Sequence, residues 1–266
     1  MNINLIDLFL KNRYKSSLSK PIIIAHRGAS GYKPENTLSS FKYALDLGAF
    51  AMELDVFLCK AKSEQESPVV VIHDNTIDRT TNGHGFVSEI TLKQLQSYDA
   101  GNGEHIPLLS EVLDLLNKEP MKNYLIVNIE LKGPNTAQAV ANIIKHYIQY
   151  QNWAPKNFII SSFDHDKIQE FQHYIPEIKT GAIFFKSDKD VIKITQKTNA
   201  NYLILDYQSV THNLITKAHS RGIFIFAYTV NDVAIAEELA TWQIDGIITD
   251  YPDILSSSQF DPNVLH

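Results

Sequence analysis

The sequence predicts an α/β fold, namely a (β/α)₈ TIM barrel with a hairpin extension of strand two and a small inserted subdomain. Eight short apolar, β-branched runs recur along the chain with helical patterns between them, which is typical of a parallel sheet. The length of 266 residues suits one such barrel. An open doubly wound sheet is the main alternative, but no Gly-rich dinucleotide motif follows any strand. The predicted barrel strands are residues 22–25, 51–56, 124–130, 158–161, 181–185, 202–205, 223–228 and 246–249.

Apolar residues at helical spacing separate these strands. Amphipathic helices are predicted around residues 38–45, 112–116, 137–147 and 235–242. Gly48 is a plausible end for the first of them. Ser110 and Asn231 are the expected N-terminal caps of the second and the last.

A ninth apolar run, residues 68–72, begins only about a dozen residues after Val56. Parallel strands need a long crossover between them, whereas antiparallel strands do not. Residues 69–72 are therefore predicted to be the return arm of an antiparallel hairpin. This arm folds His73 back toward Glu53 and Asp55.

The following stretch, residues 75–107, is predicted to be an irregular insertion near the site. It contains four glycines and one short helical pattern at residues 91–98. A loop of this length is uncommon in a compact domain unless it serves a site. The whole chain, residues 1–266, is predicted to be one domain that includes this insertion. Residues 1–20 are interpreted as a surface segment or short helix ahead of the barrel, not a signal peptide.

Composition and charge exclude several classes of protein. Lys and Arg number 24 against 30 Asp and Glu, so the net charge is −6, which argues against a nucleic-acid partner. The apolar runs are far shorter than a transmembrane segment. A single cysteine, Cys59, excludes an internal disulfide, so we expect a cytoplasmic location. Nothing in the sequence predicts an oligomeric state.

Three carboxylates lie near the predicted C-terminal ends of neighbouring strands. Glu53 and Asp55 are two residues apart and therefore face the same side of their strand. Glu130 ends the next barrel strand. Like charges in one cavity repel each other unless a cation lies between them. An all-oxygen ligand set predicts one divalent cation, Mg²⁺ or Ca²⁺. Surface carboxylates at strand ends are the alternative interpretation of each residue alone.

Two histidines and two cations accompany these carboxylates. His26 and His73 each follow an apolar run, and a facing pair can act as base and acid in one reaction. Arg27 and Lys132 supply the positive charge that an anionic phosphate needs. A core or metal-ligating histidine and a structural salt bridge are the respective alternatives.

Other polar and aromatic positions carry weaker signals. Pro34-Glu35-Asn36-Thr37 reads as an ordinary helix start. Phe163, Tyr207 and Tyr228 lie at or just beyond strand ends, where packing is a more common role than ligand contact.

Taken in order, these motifs resemble the glycerophosphodiester phosphodiesterase family across nearly the whole chain. They are His26-Arg27-Gly28, Pro34-Glu35-Asn36-Thr37, Glu53-Leu54-Asp55-Val56, His73-Asp74, Glu130-Leu131-Lys132, Ser161-Ser162-Phe163, Tyr228-Thr229-Val230-Asn231 and Gly246-Ile247-Ile248-Thr249-Asp250-Tyr251-Pro252. Each motif alone is weak, but the ordered set is specific. Two departures are visible: Tyr228 stands where the family commonly has tryptophan, and the hairpin lacks the usual tight Asp-Gly turn.

The resemblance implies a TIM barrel with a small insert after His73. It implies metal ligands Glu53, Asp55 and Glu130, acid–base residues His26 and His73, and phosphate-binding residues Arg27 and Lys132. Glu35, Asn36 and Tyr228 are added as expected substrate-binding residues.

The expected activity is metal-dependent hydrolysis of a small-molecule glycerophosphodiester to sn-glycerol 3-phosphate and an alcohol. One alternative is a lysophospholipase D-like activity, for which Phe57, Leu58, Phe86 and Val87 would line an apolar channel. The other is a non-catalytic barrel that only binds phosphodiesters or a protein partner.

Overall fold

The structure is a computed structural model that describes residues 20–61, 67–187 and 190–255. Eight parallel strands form a closed barrel, because the first strand pairs with both the second and the last. A ninth, short strand pairs antiparallel with the second. The predicted TIM barrel is therefore confirmed. The strands are β1 (Ile22–His26), β2 (Ala51–Leu58), β3 (Val69–Val71), β4 (Ile126–Leu131), β5 (Phe158–Ser162), β6 (Lys179–Phe184), β7 (Tyr202–Asp206), β8 (Phe224–Tyr228) and β9 (Gly246–Thr249).

Side chains alternate along each strand, so one set fills the barrel and the other faces the helices. The inner set includes Ile24, Ala51, Ile126 and Phe226, all of which are buried in one cluster. Further along the same faces of β1, β2 and β4, the apolar side chains give way to polar ones. The barrel is therefore solid in its middle and polar at the C-terminal ends of these strands.

Eight helices are described, and they cover the outside of the barrel or its loops. They are α1 (Leu38–Asp46), α2 (Leu92–Leu95), α3 (Leu109–Asn117), α4 (Thr136–Tyr150), α5 (His165–Tyr174), α6 (Val191–Lys197), α7 (His212–His219) and α8 (Val233–Thr241). The end of α1 just before Gly48 is confirmed. Within the described ranges, none of these helices has the length and apolarity needed to cross a membrane.

Two predicted helix caps are wrong. Ser110 lies inside the first turn of α3, where the Glu111 carboxylate instead accepts a hydrogen bond from the Leu108 N–H at 2.7 Å. Asn231 precedes the true cap of α8, which is Asp232, whose carboxylate accepts from a first-turn N–H at 3.1 Å. In both cases an acidic side chain is favoured by the positive end of the helix dipole.

The predicted hairpin is confirmed. The register of β2 and β3 pairs Val56 with Val71 and Leu58 with Val69. The N–H of Ile72 then donates to the Asp55 carbonyl oxygen at 3.0 Å. His73 is thereby brought to the C-terminal end of β2. The hairpin tip at residues 62–66 and the predicted N-terminal segment up to residue 19 lie outside the described residues.

The stretch after His73 has a small core of its own. Cys59, Val70, Ile77, Val87, Leu95, Ala100 and Ile106 are buried together in it. It contains a 3₁₀ turn (Val87–Glu89) and the four-residue α2, which is shorter than the predicted helical pattern. The insertion therefore packs against the hairpin with a separate set of apolar side chains.

Candidate active site

Three buried carboxylates converge at the C-terminal end of the barrel. Glu53 and Asp55 share the inner face of β2, and the register of β4 aligns Asp55 with Glu130. They are only 4%, 1% and 7% exposed. One oxygen atom from each carboxylate lies within 4.8 Å of the other two. The structure thus brings together the three acidic residues singled out in the sequence.

The three carboxylates carry like charges, so they repel one another. Burial raises the pKa of Glu53 well above its usual range, and the charges of Asp55 and Glu130 add to that shift. Burial and the Asp55 charge raise the pKa of Glu130 to about 7. Burial acts on Asp55 as well, but neighbouring Lys132 and Arg27 hold its pKa below the usual value. Three buried oxygen donors with excess negative charge fit a hard divalent cation such as Mg²⁺ or Ca²⁺.

Both predicted cations reach the triad. The Lys132 Nζ lies 2.7 Å from Oε1 of Glu130 and 3.2 Å from Oδ1 of Asp55. The Arg27 Nε lies 3.3 Å from Oδ2 of Asp55, and its Nη1 lies 2.8 Å from Oε1 of Glu35. The two side chains therefore flank the carboxylates at the barrel mouth.

A sharp backbone turn after β1 holds Arg27 in place. Arg27 adopts a left-handed φ of 54°, and its N–H donates to Oε2 of Glu53 at 3.1 Å. Gly28 follows with a φ of 81°, and a Cβ there would lie 2.6 Å from the carbonyl carbon of Ser40. Only glycine allows α1 to approach this turn so closely.

His26, the last residue of β1, is held by a carboxylate from the other side of the barrel seam. Its Nδ1 lies 2.6 Å from Oδ1 of Asp250, which also accepts hydrogen bonds from Ser30 and Asn231. Burial opposes ionisation of Asp250, but these three hydrogen bonds lower its pKa to about 2. The Nε2 of His26 lies 4.0 Å from Oε2 of Glu53. The imidazole therefore directs its Nε2 toward the triad.

His73 has a comparable partner. Its Nδ1 lies 2.5 Å from Oδ1 of Asp74, and Arg79 donates from Nε to the second oxygen of Asp74 at 2.6 Å. The hydrogen bond from Arg79 is the largest cause of the low pKa of Asp74, about 2. Burial lowers the pKa of His73 itself. Since Nδ1 is held by a carboxylate in both histidines, Nε2 is the ring atom that each leaves for proton transfer.

Glu35 and Asn36 contact other site residues. Asn36 is buried and donates from Nδ2 to Oδ2 of Asp55 at 2.9 Å. Glu35 accepts hydrogen bonds from Arg27 and Arg79. The predicted helix start is confirmed as well, since Thr37 caps α1. This short segment thus contributes the N-terminal cap of α1 and two side chains that hydrogen-bond other residues of the site.

Aromatic side chains stand beside Lys132 at the mouth. The Tyr228 hydroxyl donates to the Phe184 carbonyl oxygen at 3.0 Å, and its ring meets Phe163 edge to face at 6.2 Å. Phe163 stacks on Phe185 at 4.3 Å, and the Lys132 Nζ lies 5.6 Å from the Phe163 ring. The hydroxyl hydrogen of Tyr228 is thus used within the barrel, and its ring packs beside Phe163 at the mouth.

A cleft of about 1090 Å³ extends from the site along the hairpin and the insertion. His73 and Lys132 are among the residues that line it. Three of the four side chains expected to form an apolar channel line it, namely Phe57, Leu58 and Phe86. The expectation for Val87 is wrong, because that side chain is 1% exposed and packs inside the core of the insertion.

Sequence reasoning missed three residues of the site, which are Asp74, Arg79 and Asp250. Asp74 and Asp250 stand inside quoted motifs, but their contacts with His73 and His26 went unassigned. Asp250 could have been found from its position, because it directly follows the last strand, which pairs with the first strand that ends in His26. Arg79 belongs to the irregular insertion and carries no periodic signal.

Comparison with known proteins gives a consistent result. A family model described as "Glycerophosphoryl diester phosphodiesterase family" matches residues 26–254. A putative glycerophosphodiester phosphodiesterase of Bacillus subtilis is 37% identical over 244 residues, covering 88% of this chain and 96% of that protein. A glycerophosphodiester phosphodiesterase of Caldanaerobacter subterraneus is 36% identical over 248 residues, covering 89% and 96%.

Solved structures show the same similarity. A putative glycerophosphoryl diester phosphodiesterase of Silicibacter pomeroyi matches with a TM-score of 0.79 and 25% identity, covering 88% of this chain and 91% of that one. A phosphodiesterase of Oleispira antarctica, solved with the product sn-glycerol-3-phosphate, matches with a TM-score of 0.77 and 25% identity, covering 90% and 98%.

Proposed function

Because the chain belongs to the glycerophosphoryl diester phosphodiesterase family, we propose that it hydrolyses glycerophosphodiesters to sn-glycerol 3-phosphate and an alcohol. The observation that carries this proposal is the convergence of three buried carboxylates, two cations and two carboxylate-held histidines at one mouth of the barrel. The Oleispira antarctica neighbour in complex with sn-glycerol-3-phosphate supports the choice of product.

We propose that Glu53, Asp55 and Glu130 hold one divalent cation, Mg²⁺ or Ca²⁺. Their closeness and the raised pKa of Glu53 and Glu130 support this assignment. When bound, such a cation supplies Lewis-acid chemistry and offsets negative charge on a phosphate. With a cation held by the three carboxylates, Arg27 and Lys132 would no longer be the only positive charges beside Asp55 and Glu130, and could bind the phosphate.

His26 and His73 are the proposed acid–base pair. One imidazole removes the proton of the attacking hydroxyl, and the other donates a proton to the departing alcohol oxygen. Asp250 and Asp74 hold the Nδ1 atoms and thereby orient the two Nε2 atoms. The attacking oxygen is that of water, or that of the glycerol hydroxyl beside the phosphate. The second route releases the alcohol and gives a cyclic phosphodiester, which water then opens to sn-glycerol 3-phosphate, and the same residues serve either route.

Arg27 and Lys132 are the proposed phosphate-binding residues. Their charges stabilise the oxygens that become more negative during the displacement. Glu35 and Asn36 act on the substrate through Arg27 and Asp55, which they contact directly. Tyr228 is proposed to pack its ring against the glycerol portion.

A metal-titrated assay tests this proposal. The purified protein is incubated with a panel of glycerophosphodiesters, and sn-glycerol 3-phosphate is detected by a coupled enzyme. We expect turnover with Mg²⁺ or Ca²⁺, loss of turnover in excess chelator, and recovery when the metal is restored. A Glu53→Gln variant, which removes the charge of one proposed metal ligand, should lose activity in the same assay. Absence of turnover with every diester and both metals would contradict the proposal, and would favour the non-catalytic barrel.

A lysophospholipase D-like activity is the second candidate, and the cleft beside His73 and Lys132 favours it. The rings of Phe57 and Phe86 give that cleft apolar walls of the kind that an acyl chain requires. Comparing hydrolysis of glycerophosphocholine with that of its acylated form separates the two activities. If the acyl chain binds in this cleft, a Phe86→Ser variant should slow hydrolysis of the acylated substrate only. Equal impairment of both substrates would contradict this second candidate.

We further propose that the chain forms a single domain and works in the cytoplasm. The single cysteine supports the second point, since no internal disulfide is possible. Cell fractionation with an antibody against the protein tests the location, and recovery in any other compartment would contradict it.

A further inference from the structure

We propose that Arg79 is a positioning residue that joins the phosphate-binding Arg27 to the acid–base His73. This inference rests on the proposed function for the roles of Arg27 and His73. Arg79 itself belongs to the insertion after β3 and lies outside the barrel. The proposal therefore gives this insertion a part in the reaction.

The guanidinium of Arg79 is shared between two carboxylates. Its Nε and Nη2 donate to Asp74 at 2.6 and 3.2 Å. Its Nη1 and Nη2 donate to Glu35 at 2.8 Å each. Arg79 thus makes a two-nitrogen contact with each carboxylate, and Nη2 takes part in both. The planar guanidinium of arginine is suited to this geometry.

Each of these carboxylates also holds a residue of the site. Glu35 Oε1 accepts from Nη1 of Arg27 at 2.8 Å. Asp74 Oδ1 lies 2.5 Å from Nδ1 of His73. The result is one continuous chain of contacts in the order Arg27, Glu35, Arg79, Asp74, His73.

A positive charge is required at the centre of this chain. Without Arg79, the carboxylates of Glu35 and Asp74 face each other across the vacated space and repel. Lysine would restore the charge, but a single ammonium does not reproduce two bidentate contacts. Because Arg79 is half-exposed, solvent screens its ion pairs, so we expect its effect on catalysis to exceed its effect on stability.

Two other roles for Arg79 predict different results. A residue that merely anchors the insertion affects stability and leaves the pH dependence of the reaction unchanged. A residue that contacts the substrate raises KM with little change in kcat. If Arg79 is a positioning residue, its replacement instead lowers kcat. It also shifts the side of the pH–rate profile that is set by the ionisation of His73.

The direction of that movement follows from the charges. Removing the guanidinium leaves the Asp74 carboxylate uncompensated beside His73, which favours the imidazolium. The other charges that act on His73 are Asp55, Arg27 and Lys132, and the variant retains all three. That side of the profile should therefore move to higher pH whether His73 serves as base or as acid.

The experiment compares Arg79→Gln and Arg79→Lys with the wild-type protein. Turnover of glycerophosphocholine is measured at saturating metal from pH 5 to 9. We expect Arg79→Gln to lower kcat by about 10–100-fold, the range typical of residues that orient a site from its second layer. Arg79→Lys should recover part of that loss. Arg221→Gln removes an exposed arginine far along the chain and should change nothing.

NMR titration of the His73 imidazole, in protein without substrate, provides a readout independent of turnover. If no diester is hydrolysed by the wild type, the proposed function fails, and the titration still tests whether Arg79 acts on His73. A folded Arg79→Gln protein with normal kcat, or with an unmoved His73 titration, would overturn the inference. If Arg79→Gln does not fold, the same two measurements on Arg79→Lys decide the question.

Discussion

The Nδ1 of His26 lies 2.6 Å from Oδ1 of Asp250, across a sequence separation of 224 residues. This contact spans the seam at which β1 and β9 close the barrel. Ser30 and Asn231 hold the same carboxylate with further hydrogen bonds. The ring of His26 is therefore fixed by residues that follow the first strand and the last two strands of the barrel.

Replacing Asp250 by asparagine should lower kcat. The amide either fails to accept from Nδ1–H or stabilises the wrong tautomer, so Nε2 is no longer a reliable proton acceptor. We expect a loss of at least about tenfold in kcat with a smaller change in KM. Steady-state kinetics with glycerophosphocholine measure it. Asp253→Asn, a nearby change at an exposed contact with Tyr32, is the control. An Asp250→Asn enzyme with wild-type kcat would refute the positioning role.

Alanine at either histidine of the proposed acid–base pair should also lower turnover. His26→Ala and His73→Ala each remove one proton-transfer group, which typically costs a factor of about 10²–10⁴ in rate. His146→Ala, on the exposed side of α4, provides a matched control. The assay uses glycerophosphocholine with saturating Mg²⁺ or Ca²⁺. If both site variants keep nearly normal turnover, the acid–base assignment is wrong.

Stabilisation by a divalent cation should grow as the pH rises. The pKa of Glu130 is raised from 4.5 to about 7 by burial and by Asp55, so the folded, metal-free protein binds a proton there that the unfolded chain has lost. The stability that this group contributes is present below pH 4.5 and is lost as the pH rises through 7. Metal binding needs the ionised form and is therefore favoured at higher pH.

Thermal unfolding with and without Mg²⁺ or Ca²⁺ at pH 5.5 and pH 8 measures this effect. We expect the metal-induced rise in Tm to be larger at pH 8. Glu130→Gln should reduce both the rise and its dependence on pH. A rise in Tm that is the same at the two pH values would contradict the role of Glu130 as a metal ligand.

Gly28→Ala should be more destabilising than Gly48→Ala. Both glycines have a left-handed φ, of 81° and 85°, but a Cβ at Gly28 would lie 2.6 Å from the carbonyl carbon of Ser40, whereas one at Gly48 meets nothing within 4 Å. We expect Gly48→Ala to lower the free energy of unfolding by about 1–2 kcal/mol, and Gly28→Ala by about 2–5 kcal/mol. Urea unfolding measures both changes. Equal losses in the free energy of unfolding would show that the close approach of α1 to Gly28 adds no cost to the substitution.

Much of the architecture was predictable because each strand carries its own signal. A short, mainly apolar run marks each barrel strand, and the short spacing after Val56 alone indicates the hairpin. The triad was predictable for the same reason, since Glu53 and Asp55 share a strand face and Glu130 ends the neighbouring strand. These inferences need only local periodicity and the parallel order of the strands.

Features that depend on a choice among neighbouring polar groups were harder to predict. Asn231 and Asp232 are both good caps by residue type, and the structure uses Asp232 for α8 because Asn231 is engaged with Asp250. Arg79 was hard to predict because it joins a neighbour, Asp74, to a carboxylate 44 residues away, Glu35, and this pairing forms only in the folded protein. Such contacts are decided by tertiary packing, which local patterns do not encode.

Closure of the barrel also has a consequence for biosynthesis. His26 is synthesised 224 residues before Asp250, the carboxylate that orients it and that follows the last strand of the barrel. A nascent or truncated chain lacking β9 thus carries the triad and both imidazoles without the group that aims one of them. Hydrolytic competence should accordingly appear only once translation has passed the final strand.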